Sequence, residues 1–298
     1  MGETEKIKFT PIFKKYQIHC HQIIPIDKDE WMLQTDKGTK MMRVFDDLEK
    51  IMWSHQWREQ MTRQGFRTLE RFIRTKDGEP YAQLHGKKIV VTDGLEGESF
   101  QIKDEQTCFF LGEITARIHL AMELVKRFQY TNQPFLARNH FYENWRKQTC
   151  GWEPLLDRVD TAVEYMKKGD SSWNGIHPFH PNQIIKMGDY WYLKTGLKEI
   201  WEWAPAGLSR LLTFLRDLNL ENFDPVTSFL KGYGSIRSLS SKEIYSLIGY
   251  LIFPTELMNW EIKGGFHEKK WFPEQLVHQQ KKREELAKKV FAVWEEGM

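Results

Sequence analysis

The hydrophobic pattern of this 298-residue chain changes period once, near Gly94-Leu95-Glu96-Gly97-Glu98. Ahead of that break the apolar residues come in short runs bounded by turn residues; behind it they recur three and four apart. A chain patterned in this way has to place a small sheet ahead of a larger helical body, which makes the class α+β. The division falls at 1–94 for a sheet lobe and 95–298 for a helical lobe, with a hinge near 93–98.

Within the first part, QIHCHQIIPI (17–26), EWMLQT (30–35) and KMMRVF (40–45) read as strands, with turn residues Asp36-Lys37-Gly38 between the last two. From about Asp46 to Arg63 helical spacing runs through Leu48, Ile51, Met52, His55 and Met61, and Gln64-Gly65 supplies the stop. TLERFIRT (68–75), EPYAQLHG (79–86) and KKIVVTD (87–93) return to strand patterning, so a mostly antiparallel sheet carries one helix.

Beyond the break, Ile114, Ile118, Ala121 and Val125 mark one face of a long helix. Further helices are marked by Leu155/Val159/Ala162/Met166, by Leu208/Leu211/Leu212/Leu215/Leu218, by Ile244/Leu247/Ile248/Leu251 and by Leu286/Val290/Val293/Trp294. Ser240 and Glu243 have capping-box spacing ahead of the Ile244 helix, and Pro254 closes it.

Hydrophobic residues make up 41% of the chain and aromatic residues 14%, enough to bury a sizeable core. With 43 Lys+Arg against 41 Asp+Glu, no global field draws the chain to nucleic acid or to an anionic membrane. Cys20, Cys108 and Cys150 contain no CxxC pair, which speaks against a disulfide framework or a thiolate zinc site and for a reducing interior. The N-terminal MGETEKIKF has charges where a signal peptide has its apolar core, and Lys6 stands where a myristoylation signal has Ser or Thr. No apolar run approaches the roughly 20 residues that span a bilayer, so a soluble chain is expected.

Several residues look like chemistry and have plainer readings. His19 and His21 share one face of a strand while Cys20 points to the other, so the three do not converge on a metal. His177 and His180 are flanked by Pro178 and Pro181, which favours an irregular loop over a helical metal clip. His119 lies on the Ile114/Ile118 helix and suits packing and hydrogen bonding. The run Gln279 to Glu285 reads as a solvated helix face, and Trp53 and Trp57, four apart, read as core.

The stretch GIHPFHPNQII (175–185) gives these elements a context. In the aminoglycoside-phosphotransferase branch of kinase-like enzymes the catalytic loop runs His-Gly-Asp-Phe-His-Pro-x-Asn-Ile-Leu, and FHPNQII resembles its second half. Further motifs point to a narrower family. QGFRTLERFIRTKDGEPYAQLHGKKIVVTDGLEG (64–97) and FLKGYGSIRSLSSKEIYSLIGYLIFPTEL (229–257) resemble the spore coat proteins of the CotS/YutH type, in order and spacing over roughly 15 to 260. The resemblance implies a protein-kinase-like fold of two lobes.

Phosphoryl transfer on such a fold uses a lysine at the nucleotide phosphates, carboxylate and amide ligands for Mg²⁺, and a carboxylate that positions the acceptor. Carried over by the motif, Pro178 stands where the catalytic aspartate belongs and Gln183 where the metal-binding asparagine belongs. Lys194 or Thr195 takes the place of the metal-binding aspartate, and a lysine there repels the cation it should hold. Arg43 takes the lysine position, keeping the charge without the shape, with Glu49 or Glu59 of the following helix as its ion-pair partner. The first hairpin has no glycine to bring its backbone to phosphates, and Gly207 replaces a buried aspartate of the helical lobe.

A missing base alone slows transfer by about 10² to 10⁴. The resemblance therefore implies a pseudokinase with no catalytic residue, no metal and no cofactor. It further implies a structural or assembly role among other spore coat proteins, first in the cytoplasm of the sporulating mother cell and then in the coat. The alternatives are a divergent small-molecule phosphotransferase that recruits Asp189 or Glu199, and a module that binds a nucleotide or metabolite without turnover.

Overall fold

Strands β2 (Glu30–Thr35) and β3 (Gly38–Phe45) pair antiparallel around Asp36-Lys37, and Gly38 closes the turn at φ 81°, a region that favours glycine. This hairpin is the centre of the computed structural model, which describes residues 3–124, 153–169, 176–177, 183–194, 202–218, 220, 222–253 and 274–297. β1 (Cys20–Asp27) joins the other edge of β2, β5 (Lys87–Asp93) pairs with β3, and β4 (Ala82–Leu84) closes the order β1-β2-β3-β5-β4. Every pair is antiparallel.

Both faces of this sheet are covered. Residues 3–16, unassigned from sequence, form helix α1 (Glu3–Tyr16). Its Phe9, Ile12, Phe13 and Tyr16 fall at i, i+3, i+4 and i+7 and pack with Trp31, Leu33, Met42, Ile89 and Val91. The Tyr16 hydroxyl donates to the Ile89 carbonyl at 2.8 Å, which satisfies this buried polar group. On the opposite face lies α2 (Leu48–Arg63), capped by the Asp47 carboxylate, with Ile51 packed on Val90 and Phe72. Trp53 and Trp57 are core residues, as their spacing suggests, whereas Leu48 is exposed.

Residues 68–75 are not the strand that their composition suggests. They run alongside the sheet and make only isolated bridges, Leu69 with Leu193 and Phe72 with Thr92. The reason is connectivity: this segment leaves α2 and passes between two sheets, so it bonds alternately to each. The second sheet has the order β6-β8-β9, from Glu98–Ser99 (β6), Ile184–Met187 (β8) and Tyr190–Leu193 (β9).

The chain divides into two compact units. The one just described contains Met1–Gln101, Leu124–Phe128 and Phe179–Ile200. The other holds the helices α3 (Glu105–Leu124), α4 (Glu153–Lys168), α5 (Ala204–Asp217), α6 (Pro225–Ile236), α7 (Ser241–Ile252) and α8 (Glu274–Glu295). A two-stranded ladder of β7 (Ile176–His177) and β10 (Glu202–Trp203) belongs to it as well. Ile114, Ile118 and Ala121 of α3 are buried as their period requires, and Val125 lies outside the described residues. No helix among the described residues is long and apolar enough to cross a membrane.

The capping box at α7 forms as its spacing predicts: the Ser240 side chain accepts from the Glu243 N–H and the Glu243 side chain accepts from the Ser240 N–H. Ser240→Ala is expected to destabilise the chain by about 1 kcal/mol, read as a lower urea midpoint at unchanged slope. The run Gln279 to Glu285 is less solvated than its charge suggests. Gln280 and Arg283 are buried, and the Gln280 amide donates to the Ile252 carbonyl.

Candidate functional site

Arg43 lies in the middle of the sheet, on β3, paired across the ladders with Glu30 and Val90. Its side chain is 5% exposed. The guanidinium spends its donors inward: Nε donates to the Glu30 carboxylate at 3.0 Å, with its NH2 nitrogen 2.9 Å from the same oxygen. Its NH1 nitrogen donates to Glu70 at 2.8 Å and to the Thr92 hydroxyl at 3.1 Å, and that hydroxyl donates to Glu70 at 2.8 Å.

The partner of Arg43 is therefore neither Glu49 nor Glu59, which corrects the expectation from sequence. Glu49 is exposed, and Glu59 makes a half-exposed pair with Arg74 at 3.1 Å. The physical reason is the position of residues 68–72, which run between α2 and the sheet and bring Glu70 to Arg43 directly. The face of α2 beside Glu70 carries a second cation, Arg58, 2% exposed. Arg58 donates from Nε to the Glu70 carbonyl at 3.0 Å, and its guanidinium lies 4.4 Å from the Trp57 ring centroid.

Two buried arginines thus face two carboxylates, and the cluster is balanced in charge. Burial pushes the Glu70 carboxyl up, but the Arg43 and Arg58 charges and the hydrogen bonds from Arg43 and Thr92 outweigh it and hold it below the usual range. Nothing in this arrangement leaves the Arg43 guanidinium available to a phosphate.

The β1–β2 hairpin, which would cover nucleotide phosphates in a kinase-like enzyme, turns tightly at Lys28-Asp29 between the paired Asp27 and Glu30. It carries no glycine, as the sequence indicates. It also carries three carboxylates, Asp27, Asp29 and Glu30, around one lysine. Glu30 is committed to Arg43, and the remaining acidic tip repels the phosphates that a glycine-rich turn would cradle.

Two of the remaining positions, Gln183 and Lys194, flank β8 and β9. Ile184 pairs with Leu193, so Gln183 and Lys194 are the next opposed residues, and the Lys194 N–H donates to the Gln183 carbonyl at 2.6 Å. Leu193 is in turn bonded to the segment that carries Glu70: its N–H donates to Thr68 and its carbonyl accepts from Glu70 N–H at 2.8 Å. Arg43, Gln183 and Lys194, 151 residues apart at the extremes (194 minus 43), are therefore linked by one run of hydrogen bonds through Glu70. Of the two candidates for the metal-binding aspartate's place, the ladder puts Lys194 opposite Gln183. Pro178, Thr195 and Glu199 lie outside the described residues, as does His180.

The residues opposed here are a lysine and a glutamine, neither of which brings a carboxylate to a magnesium ion, and the Arg43 cation is neutralised by Glu30 and Glu70. Asp189, considered above as a recruited carboxylate, sits exposed in the turn at the far end of the β8–β9 hairpin from Gln183 and Lys194 and cannot converge with them. Among the described residues no group of three His, Cys, Asp or Glu side chains could hold a metal ion. His19 and His21 are exposed with ring centroids 4.9 Å apart, while Cys20 is buried in the core beneath α1. His119 is fully buried, its Nδ1 2.8 Å from the Tyr233 hydroxyl, which also accepts from Arg237.

Glu30 and Glu70 were the residues missed in the sequence. For Glu30 a signal existed: a turn at Asp36-Lys37 that pairs Thr35 with Gly38 also pairs Glu30 with Arg43. For Glu70 there was none.

No protein-family model matches the sequence, and no curated protein matches it significantly. Solved structures do match. An aminoglycoside phosphotransferase from Alicyclobacillus acidocaldarius has a TM-score of 0.64 and 15% identity, covering 95% of this chain and 93% of its own. The fold is protein-kinase-like, of the aminoglycoside-phosphotransferase type. The amicoumacin kinase hAmiN, solved with AMP-PNP and Ca²⁺, gives 0.58 at 13% identity over 97% and 96%. The choline kinase LicA from Streptococcus pneumoniae gives 0.51 at 13% over 97% and 100%. At such identities the likeness establishes the fold and leaves the chemistry to the residues of this chain.

Proposed function

We propose that this chain is a catalytically inactive, kinase-like spore coat protein with a structural or assembly role in endospore formation. It is made in the cytoplasm of the sporulating mother cell and joins the coat through contacts with other coat proteins. The coat assignment draws on the CotS/YutH-type motifs at 64–97 and 229–257. One observation carries the inactivity: the Arg43 guanidinium is buried and bonded on all three nitrogens to Glu30, Glu70 and Thr92. Lys194 opposite Gln183 supports it, because a lysine in place of a carboxylate offers a divalent cation no ligand.

Thermal melts of the purified chain test the reading. The melting midpoint is expected to be the same in ATP with Mg²⁺ as in ATP with EDTA, and no phosphate is expected to be transferred or released. A midpoint that rises only when Mg²⁺ is present shows that metal-nucleotide binding survives, and overturns the proposal. The coat assignment is checked separately by immunodetection in coat extracts of purified spores; recovery in the spore core fraction alone refutes it.

A further inference from the structure

We infer that His19 and His21, at the exposed edge of the first sheet, form a two-histidine site for a divalent transition-metal ion of the nickel, copper or zinc class. The site goes beyond the reading above and does not rest on it. β1 is the edge strand in the order β1-β2-β3-β5-β4, and both histidines are exposed while Cys20 between them is buried. Their ring centroids lie 4.9 Å apart at an interplanar angle of 75°. With metal–nitrogen bonds of about 2.0–2.1 Å, two imidazoles on one ion hold their centroids roughly 4.5–5.3 Å apart for bond angles between about 90° and 109°. The observed separation falls inside that interval.

The backbone explains why the two rings meet. Cys20 pairs with Thr35 and Gln22 with Gln34, so β1 takes two steps where β2 takes one, and His21 is the residue left over. Such a bulge bends its strand and re-aims the side chain it carries. His19 is fixed from the β2–β3 turn: its N–H donates to the Asp36 carboxylate at 2.8 Å, and its carbonyl accepts from the Asp36 N–H at 3.0 Å. The first of these bonds holds the Asp36 carboxyl below its usual range, so an anion stands beside the pair. The neighbouring cation, Lys37, donates to the Gln17 carbonyl at 2.7 Å. Imidazole nitrogens suit nickel, copper and zinc, whereas magnesium and calcium take oxygen ligands. Two ligands leave the other positions of the ion to water, and the site is open, in keeping with the lack of a three-ligand group among the described residues.

The test titrates the full chain with NiCl₂ in a calorimeter. The parent is expected to bind one ion per chain in its tightest class. His19→Gln and His21→Gln are each expected to weaken that class roughly tenfold to a hundredfold, because the second ring otherwise binds at the effective concentration of a tethered group. Metal-free melts of the variants are expected to coincide with the parent's, since both residues are exposed; His21→Asn repeats the titration should His21→Gln melt early. Electron paramagnetic resonance of one equivalent of Cu²⁺ gives a second readout, with nitrogen hyperfine coupling from two imidazoles in the parent and from one in either variant. No titratable binding overturns the inference. Binding that survives unchanged in the double variant places the ion elsewhere and overturns it too. Loss in one single variant but not in the other leaves a lone histidine ligand and refutes the chelate.

Discussion

Glu70→Ala is expected to destabilise the chain by about 3–5 kcal/mol, because removing one partner of a buried ion pair strands the others. Glu70 is 1% exposed and accepts from the Arg43 NH1 nitrogen and the Thr92 hydroxyl, with Arg58 bound to its carbonyl. Truncation leaves two arginines facing Glu30 alone. Urea titration reads the loss, and the slope should stay near that of the parent chain. An effect below about 1 kcal/mol would place Glu70 among ordinary surface contacts and contradict its assignment as the carboxylate that locks Arg43.

The same residue predicts a pH dependence with a definite sign. The folded Glu70 carboxyl titrates below an ordinary glutamate value of 4.5. Its contribution is therefore complete above that value and declines as pH falls toward and through the folded pKa. The stability gap between parent and Glu70→Gln should be widest near neutrality and should narrow below about pH 4.5. A gap that widens on acidification would mean that the folded state binds the proton more tightly, the reverse of what two flanking arginines dictate.

Gly232→Ala is expected to be the other large loss, in spite of alanine's better helix propensity. A Cβ on Gly232 of α6 would lie 2.0 Å from the Phe109 carbonyl oxygen of α3, and one on Gly112 of α3 would lie 2.1 Å from the Phe229 carbonyl of α6. The two glycines let the helix backbones touch, and backbone atoms cannot yield as a flexible side chain can. Propensity favours alanine by about 1 kcal/mol, while forcing packed elements apart costs about 1–3 kcal/mol or more. The forced separation also pulls on Tyr233, the next residue, and on its 2.8 Å bond to His119. A net loss of about 1–3 kcal/mol is expected, seen as a Tm several degrees lower for either glycine variant. A Tm at or above the parent's would show that α3 and α6 are further apart than these distances state.

Much of the fold was legible because its signals are local. The turn Asp36-Lys37-Gly38, the strand runs on either side, the stop at Gln64-Gly65 and the capping box at Ser240 each depend on residues within a few positions. Helix α1 was equally legible in Phe9, Ile12, Phe13 and Tyr16, and only the charged residues around them obscured the stripe. The segment 68–75 misled for the converse reason. Its β-branched and aromatic residues fit a pleated surface, but strand pairing needs a neighbour along its whole length, and this segment has a different neighbour every few residues.

The candidate site divides along the same line. Sequence by itself supplied the residues that the resemblance carries to the motif positions, Arg43, Gln183 and Lys194 among them. Hairpin counting also held the Glu30–Arg43 pair, since a two-residue turn sets the register of every pair behind it. Only the tertiary structure decided that the second carboxylate is Glu70 rather than Glu49 or Glu59. Arg43 and Glu70 are 27 residues apart, on either side of a whole helix, and no local period relates them. What joins them is the energy of burying a charge. Once β3 and residues 68–72 pack beneath α2, each of these ions is stable there only beside the other.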